Sequence, residues 1–514
     1  MSSAGREHKG ITRRQFIKGT AVGAAGVAAG AMVGCSPPPG GVVAPIAAPP
    51  TSEPVTWDRE TDVLIVGYGG AGAAAAIAAR DAGAEVLVLE KRDVPGGSSA
   101  ICGGVYYAAA TVVQRENGIE DSADLMYQHY LNAGLGLNDP AQCRVAADWS
   151  ADNIDLLIEL GATFPTAPSV SGAEVLAGSE PIGRVHSVTY GELGGGAAYF
   201  RVLADGAESR GAEILLETPA RSLVVDPEGQ VVGVKAESGG SELYIKARKA
   251  VILTAGGFTR NKEMLAAYTR DGYNSQPLGV PDLTGDGIRM AVAIGADVGN
   301  MSSVLGIVGL TLPGADRATY APTGAAIHVN IDGHRFVDET WFYDFKNTEL
   351  LQQKEKRCYS VFDSAMREAG AGSYIFTQAP DLVFQADTLA ELAGQINIDP
   401  AALEATIAAW NAAAEAGVDS QFGRTRNLNP IAAPPYYAFE TFSTMFDNSG
   451  GLKINPEAEV VDVWGQVIPR LYAAGNMAAG VIGENYPGSG TSLNQGVTFG
   501  RIAGENAAAE DSWA

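Results

Sequence analysis

The chain has 514 residues, 46% of them hydrophobic, with a formal net charge of −24, 64 glycines and 8% aromatics. Length and apolar content allow two or three domains with a large core. The acidic balance excludes a nucleic-acid partner and direct electrostatic adhesion to anionic lipid. The four cysteines, Cys35, Cys102, Cys143 and Cys358, form no CxxC or CxxCH, which excludes an iron–sulfur run and covalent haem. The five histidines show no metal-ligand spacing, so no metal is expected.

Ile11 to Lys18 reads ITRRQFIK. Twin arginines followed by Phe and Ile match the signal that exports folded proteins out of the cytoplasm. The Ala/Gly/Val run Gly19 to Gly34 is about 16 residues long, too short and weakly apolar to span a bilayer. Met32–Val33–Gly34–Cys35 is similar to a lipobox, which would place a lipid on Cys35; ordinary peptidase cleavage nearby is the alternative. Residues 1–34 are thus the expected signal peptide and 35–59 a Pro/Gly/Ala-rich tether.

Val63 to Val66 is a short, β-branched apolar run, the pattern of a buried parallel strand. Gly67, Gly69 and Gly72 follow at GxGxxG spacing, then the small helix-forming run Ala73 to Ala79. A second strand, Val86 to Leu89, ends at Glu90. Gly67 permits the tight turn, Gly69 the approach of a pyrophosphate, and Gly72 close helix–strand packing. The helix N-terminus offers free N–H groups to phosphate, and Glu90 stands where an acid accepts ribose hydroxyls. An acid there disfavours a 2′-phosphate and leaves FAD or NAD. Gly96–Gly97–Ser98–Ser99 and Gly103–Gly104 then supply N–H groups and hydroxyls where an NAD domain would run on through another βα unit.

Asp121 to Ala162 is helical by period, with Leu125, Tyr130, Leu131, Ile154, Leu157, Ile158 and Leu160 as core positions. Phe164 to Thr189 is rich in Pro, Gly and Ser. Ala198 to Gly211 reads as helix, and Arg221 to Val225 and Val231 to Ala236 flank the turn 226–229. Ala250 to Phe258 is a strand ending in Gly256–Gly257. Thr284–Gly285–Asp286–Gly287 opens a helix, where Asp286 either contacts a cofactor, fixes its loop or caps the helix. Ala326 to Phe336 reads as a hairpin turning at Asp332–Gly333, followed by helices Leu350 to Lys356, Leu389 to Gln395 and Ala401 to Ala416. Leu452 to Ile454, Val460 to Val463 and a closing helix Thr498 to Ala509 return to the first domain.

These motifs, with RLYAAGN at Arg470 to Asn476, resemble the FAD-binding family of fumarate reductase and succinate dehydrogenase flavoproteins and of 3-ketosteroid dehydrogenases, from about Thr61 to Ala508. The resemblance implies an α/β fold: a Rossmann-like FAD-binding domain (60–298 and 436–514) with an inserted α+β substrate-capping domain (299–435). It implies FAD contacts from Gly67, Gly69, Gly70, Ala71, Gly72, Glu90, Lys91, Gly97, Ser98, Ser99, Gly103, Gly104, Ala220, Gly256, Asp286, Gly475 and Asn476, and from Ser492 and Leu493, whose backbone N–H groups would face the flavin pyrimidine.

In the fumarate reductases, an arginine in a pattern like FVNEITTRD delivers a proton and another in GxNRxGGN holds a carboxylate. Here FVDETWFYD, Phe336 to Asp344, places Tyr343 at the first, and GENYPGSGTSL, Gly483 to Leu493, places Tyr486 at the second. In 3-ketosteroid dehydrogenases the matching segments look like FxNESAPY and YxGPG, with catalytic tyrosines there. By that resemblance Tyr343 and Tyr486 are catalytic, and Gly490 offers its N–H to the substrate carbonyl. A phenol and an N–H polarise an enone oxygen, a second phenol moves the α-proton, and hydride exchange at the β-carbon falls to the flavin. The further tyrosine of those dehydrogenases has no counterpart in 164–189; Tyr190 is the nearest.

The expected activity is interconversion of C–C and C=C bonds beside the carbonyl of a 3-ketosteroid or similar neutral enone, as a reductase fed by a membrane quinone pool or a separate cytochrome. The alternative is a respiratory alkenoate reductase of the fumarate or urocanate kind. Membrane contact is expected only through a lipid at Cys35.

Overall fold

In the computed structural model of the chain, residues 55–171, 176, 178–315, 317–320 and 325–513 are described. The expected signal, Cys35 and tether residues up to 54 lie outside them.

The first layer opens as its apolar runs dictate: β1 (Arg59–Val66), α1 (Gly70–Asp81) and β2 (Val86–Leu89). It continues with β3 (Glu213–Leu215), β4 (Ala220–Val225), β5 (Val231–Ser238) and β6 (Ser241–Leu253). The chain then builds a second sheet from β7 (Val304–Thr311), β8 (Ala318–Tyr320), β9 (Ile327–Asn330), β10 (Arg357–Asp363), β11 (Val383–Ala386) and β12 (Tyr436–Asn448), with α2 (Tyr343–Gln352) crossing it. It returns through β13 (Glu459–Val461) and β14 (Val467–Ala473) and ends in α3 (Thr491–Ala509).

The first sheet is eight-stranded, in the order β13-β14-β6-β1-β2-β3 with the β4–β5 hairpin on β6. β14, β6, β1, β2 and β3 run parallel to one another, while β13 on β14 and β5 on β6 are antiparallel. That explains why Val63 to Val66 and Val86 to Leu89 are apolar throughout: a parallel strand is covered on both faces. The second sheet is seven-stranded and built around β12, which pairs with β7, β10, β11 and the short strand Gln276–Pro277. Each sheet has its own apolar core. The central strand of the second sheet thus begins at 436, beyond the expected 299–435 segment.

Several local expectations change. The 121–162 stretch is three helices, Ala123–Gly134, Pro140–Asp148 and Ser150–Glu159, because Leu135 turns left-handed at φ 48° and Asp139 caps a new helix. Tyr130, Ile154 and Leu157 are core, whereas Leu125 and Ile158 face solvent. Ile327–Asn330 does not pair along a hairpin arm; one bridge, Val329 to Arg335, closes the turn, and the strand pairs with β10 instead. The closing helix starts seven residues early, at Thr491 rather than Thr498.

α3 packs along α1 with almost no side chain between them. A Cβ on Gly500 would lie 2.6 Å from the Ala71 carbonyl oxygen, and one on Gly504 would overlap the Ala75 carbonyl. Gly504→Leu should therefore overpack this crossing and cost about 1–3 kcal/mol or more. A thermal unfolding midpoint clearly below wild type is expected; an unchanged one would contradict this packing.

Candidate active site

One cavity of about 590 Å³ runs from the β1–α1 turn to the second sheet, within the ~300–1,000 Å³ range of small-molecule and cofactor sites. Every residue expected to contact FAD lines it except Gly72. Gly72 sits beneath the turn, where a Cβ would overlap the Gly67 carbonyl, so it serves packing alone. Gly67 takes φ +108°, and a Cβ there would lie 2.7 Å from the Ala255 backbone. Ser99 Oγ accepts the Gly70 N–H at 3.0 Å. Glu90 is buried, and its two oxygens accept the N–H groups of Tyr68 (3.0 Å) and Arg92 (2.9 Å).

This end fits a dinucleotide. The N-termini of α1 and α3 meet the cavity with no acidic residue in either first turn, leaving both helix dipoles free for an anion. Ser98 Oγ is buried on the wall without a hydrogen-bond partner, a hydroxyl that a bound group would satisfy. At Gly97 and Gly103 a Cβ would meet open space. Asp286 does not cap its helix: Gly285 is the N-cap, and the Asp286 carboxylate pairs with Lys91 Nζ (3.0 Å) and accepts from Thr284 (2.9 Å), fixing the loop.

The opposite end is apolar, walled by Leu278, Val280, Leu305, Ile307 and Phe446. Tyr343, the first residue of α2, and Tyr486, on the loop before α3, both line it. Their ring centroids are 6.4 Å apart. Phe342 lies against Tyr343 at 4.0 Å and parallel to Tyr486 at 6.4 Å, so the two phenols share one aromatic bed. Tyr343 Oη is 3.3 Å from Ser489 Oγ. Tyr486 is buried; its oxygen accepts the Ser492 N–H (3.0 Å), and its hydroxyl donates to Ser492 Oγ (3.2 Å). Burial pushes the Tyr486 phenol above its ordinary value, while Ser492 and the Gly490 backbone pull it back. It is a neutral donor across the physiological range.

Gly490 takes φ +103°, and a Cβ would lie 2.5 Å from the Val105 carbonyl, so the turn into α3 excludes any other residue. The N–H groups of Ser492 and Leu493, expected to face the flavin, end on Tyr486 Oη and on the Gly490 carbonyl (3.1 Å). Tyr190 is not on the wall; its hydroxyl donates to Asp205 at 3.0 Å. Cys102 is on the wall, and burial pushes its thiol up, as for a packed side chain.

Two wall residues escaped the sequence. Asp447 follows Phe446 at the end of β12, accepts from Asn476 Nδ2 and the Asn448 N–H, and is pushed up to about 7 by burial. Arg317, an exposed residue before β8, donates weakly to the Leu278 carbonyl at 3.5 Å and sets one guanidinium at the apolar end. Neither lies in a recurring motif; each reaches the cavity through the second sheet.

The profile described as FAD binding domain matches residues 62–493, and that of the twin-arginine translocation signal matches 10–30. A fumarate reductase (cytochrome) of Shewanella frigidimarina is 34% identical over 451 residues, covering 87% of this chain and 77% of its own. A digoxin reductase of Eggerthella lenta is 31% identical, covering 98% of each chain. The solved 3-ketosteroid-Δ4-(5α)-dehydrogenase of Rhodococcus jostii RHA1 superposes with a TM-score of 0.75 at 30% identity, covering 88% of this chain and 98% of that one. With its dinucleotide cradle and these likenesses, the chain belongs to the FAD-binding family that includes the flavocytochrome fumarate reductases, and it is an FAD-dependent oxidoreductase of CH–CH groups carrying a twin-arginine export signal.

Proposed function

We propose that this protein reduces the C=C bond of a bulky, largely neutral enone, of which a 3-ketosteroid is the first example. The observation that carries the reading is the pair of phenols, Tyr343 and Tyr486, on the apolar end of a cavity whose other end is the dinucleotide cradle. Among the described residues the apolar end carries one guanidinium, that of Arg317, rather than a fixed pair, which suits a ketone oxygen better than a dicarboxylate. Relatives named for fumarate, digoxin and ketosteroids bracket this choice.

FAD, when bound, supplies the hydride. The chain's own groups handle oxygen and proton. The Tyr486 hydroxyl turns from Ser492 Oγ to the substrate carbonyl, while the Ser492 N–H still donates into the phenol oxygen and strengthens it as a donor. The Gly490 N–H, which also reaches the phenol oxygen, is shared with the substrate carbonyl as a second donor, and together they stabilise enolate character. Tyr343 gives the proton to the α-carbon, with the Ser489 hydroxyl beside it to restore it. Electrons come from a membrane quinol or a separate cytochrome, and Cys35 is the site of a lipid that would hold the exported enzyme near such a donor.

Arg317 favours a second reading, an alkenoate reductase that holds one carboxylate at the apolar end. Purified holoprotein with reduced viologen separates the two: androstenedione-like enones against fumarate, urocanate and cinnamates. Turnover of the enones is expected, and turnover of the acids alone would overturn the first reading. Tyr486→Phe should lower kcat/KM by roughly 10²–10³-fold, the scale for removing one donor to a developing oxyanion, at unchanged FAD content. Tyr343→Phe should lower kcat by roughly 10²–10⁴-fold. Full activity in either variant would remove that phenol from the chemistry.

A further inference from the structure

Asp344 follows Tyr343 in α2 and is buried, with no cation against it among the described residues. Its two oxygens serve two other elements: Oδ1 accepts the Gly306 N–H of β7 at 3.1 Å, and Oδ2 accepts the Tyr486 N–H at 3.4 Å. One carboxylate thus touches the second sheet and the loop before α3 while sitting next to Tyr343. We propose that Asp344 is the positioning residue that sets the two phenols in register, its carboxylate tying the start of α2 to the backbone of Tyr486. This rests on the two-phenol reading above.

The charge is held at a cost. Burial raises Asp344 to about 6, the two N–H groups pull the other way, and nearby Glu484 raises it further. Other neighbours do not neutralise it. β7 brings no ionisable side chain; Lys346 on α2 turns to the Glu339 carbonyl at 3.2 Å; on β12, Glu440 pairs with Arg357 and Asp447 with Asn476. The phenols of Tyr343 and Tyr486 are engaged with Ser489 and Ser492. A carboxylate whose folded value is raised favours the protonated fold: that stability is complete below about 4 and is lost as pH rises through about 6. A desolvated charge kept at neutral pH without a cation is the kind of local expense found at functional sites rather than in structural ones.

Asp344→Asn tests this. The amide keeps one acceptor and turns an NH₂ toward the other N–H, so half of the tie is lost at every pH. Expected are unchanged FAD content, an unfolding midpoint at pH 8 equal to or above wild type, faster amide exchange in the peptide spanning 483–490, and kcat lower by roughly 10–100-fold, the scale of a small misplacement. In wild type, protonation favours the fold as a whole but weakens the single tie to the Tyr486 N–H, which the charged carboxylate accepts more strongly; exchange of that peptide, corrected for intrinsic rate, should therefore quicken as pH falls through about 6, and kcat should fall with it, an inflection that should vanish in Asp344→Asn. Unchanged exchange in both the variant and the wild-type pH series would overturn the proposal, and the wild-type series decides it even if the variant does not fold. A wild type that turns over no enone would sink the functional reading alone, since the exchange arm needs no substrate.

Discussion

The close crossing of α1 and α3 is the constraint on which the site depends. α1 is built mostly from glycine and alanine, and Gly500 and Gly504 of α3 lay the backbone of one helix on the carbonyls of the other. That proximity brings both N-termini, and the positive ends of both helix dipoles, to a single cavity. It also fixes the loop just before α3, so that Tyr486, Gly490 and Ser492 sit on the wall as one unit: Ser492 donates into the phenol of Tyr486, and Gly490 makes the turn that no side chain could enter.

The second sheet completes the cavity by bringing Tyr343 opposite this unit. Its central strand, β12, carries Phe446 and Asp447 near its end, one walling the apolar end and the other bonded to Asn476 on the cofactor side. Polar and apolar halves thus follow the two sheets. A deeply buried ionic network, Arg335 and Arg424 around Glu339, holds the turn leading to Phe342 and Tyr343 from beneath. Broken singly, such a pair leaves an uncompensated buried charge, so this network is a rigid support rather than a surplus of stability.

The cradle was legible in the sequence because each requirement is local. β1, the GxGxxG turn, α1, β2 and Glu90 lie within about thirty residues, and the twofold-covered strand shows as an unbroken apolar run. The phenols were legible only as replacements at positions known from a resembled family. What stayed hidden depends on distant partners. β12 shows no alternation, since both faces are buried and its partners come from 276 to 386. The first turns of α3 read as loop because Thr491 to Gln495 is short and polar, yet these residues are held helical by buried bonds such as Asn494 Nδ2 to the Ala146 carbonyl at 2.8 Å. Asp344 looks like any acid in a first helical turn until Gly306 and Tyr486 are seen to close on it.

The proposed chemistry stands on a ketone oxygen received by a phenol and a backbone N–H at the mouth of α3. A crystal structure of the holoenzyme soaked with a 3-keto-4-ene steroid measures it directly. The carbonyl oxygen is expected within hydrogen-bond distance of both Tyr486 Oη and the Gly490 nitrogen, with Tyr343 Oη facing the α-carbon. A ligand held instead through Arg317, with its carbonyl away from Tyr486, would contradict it.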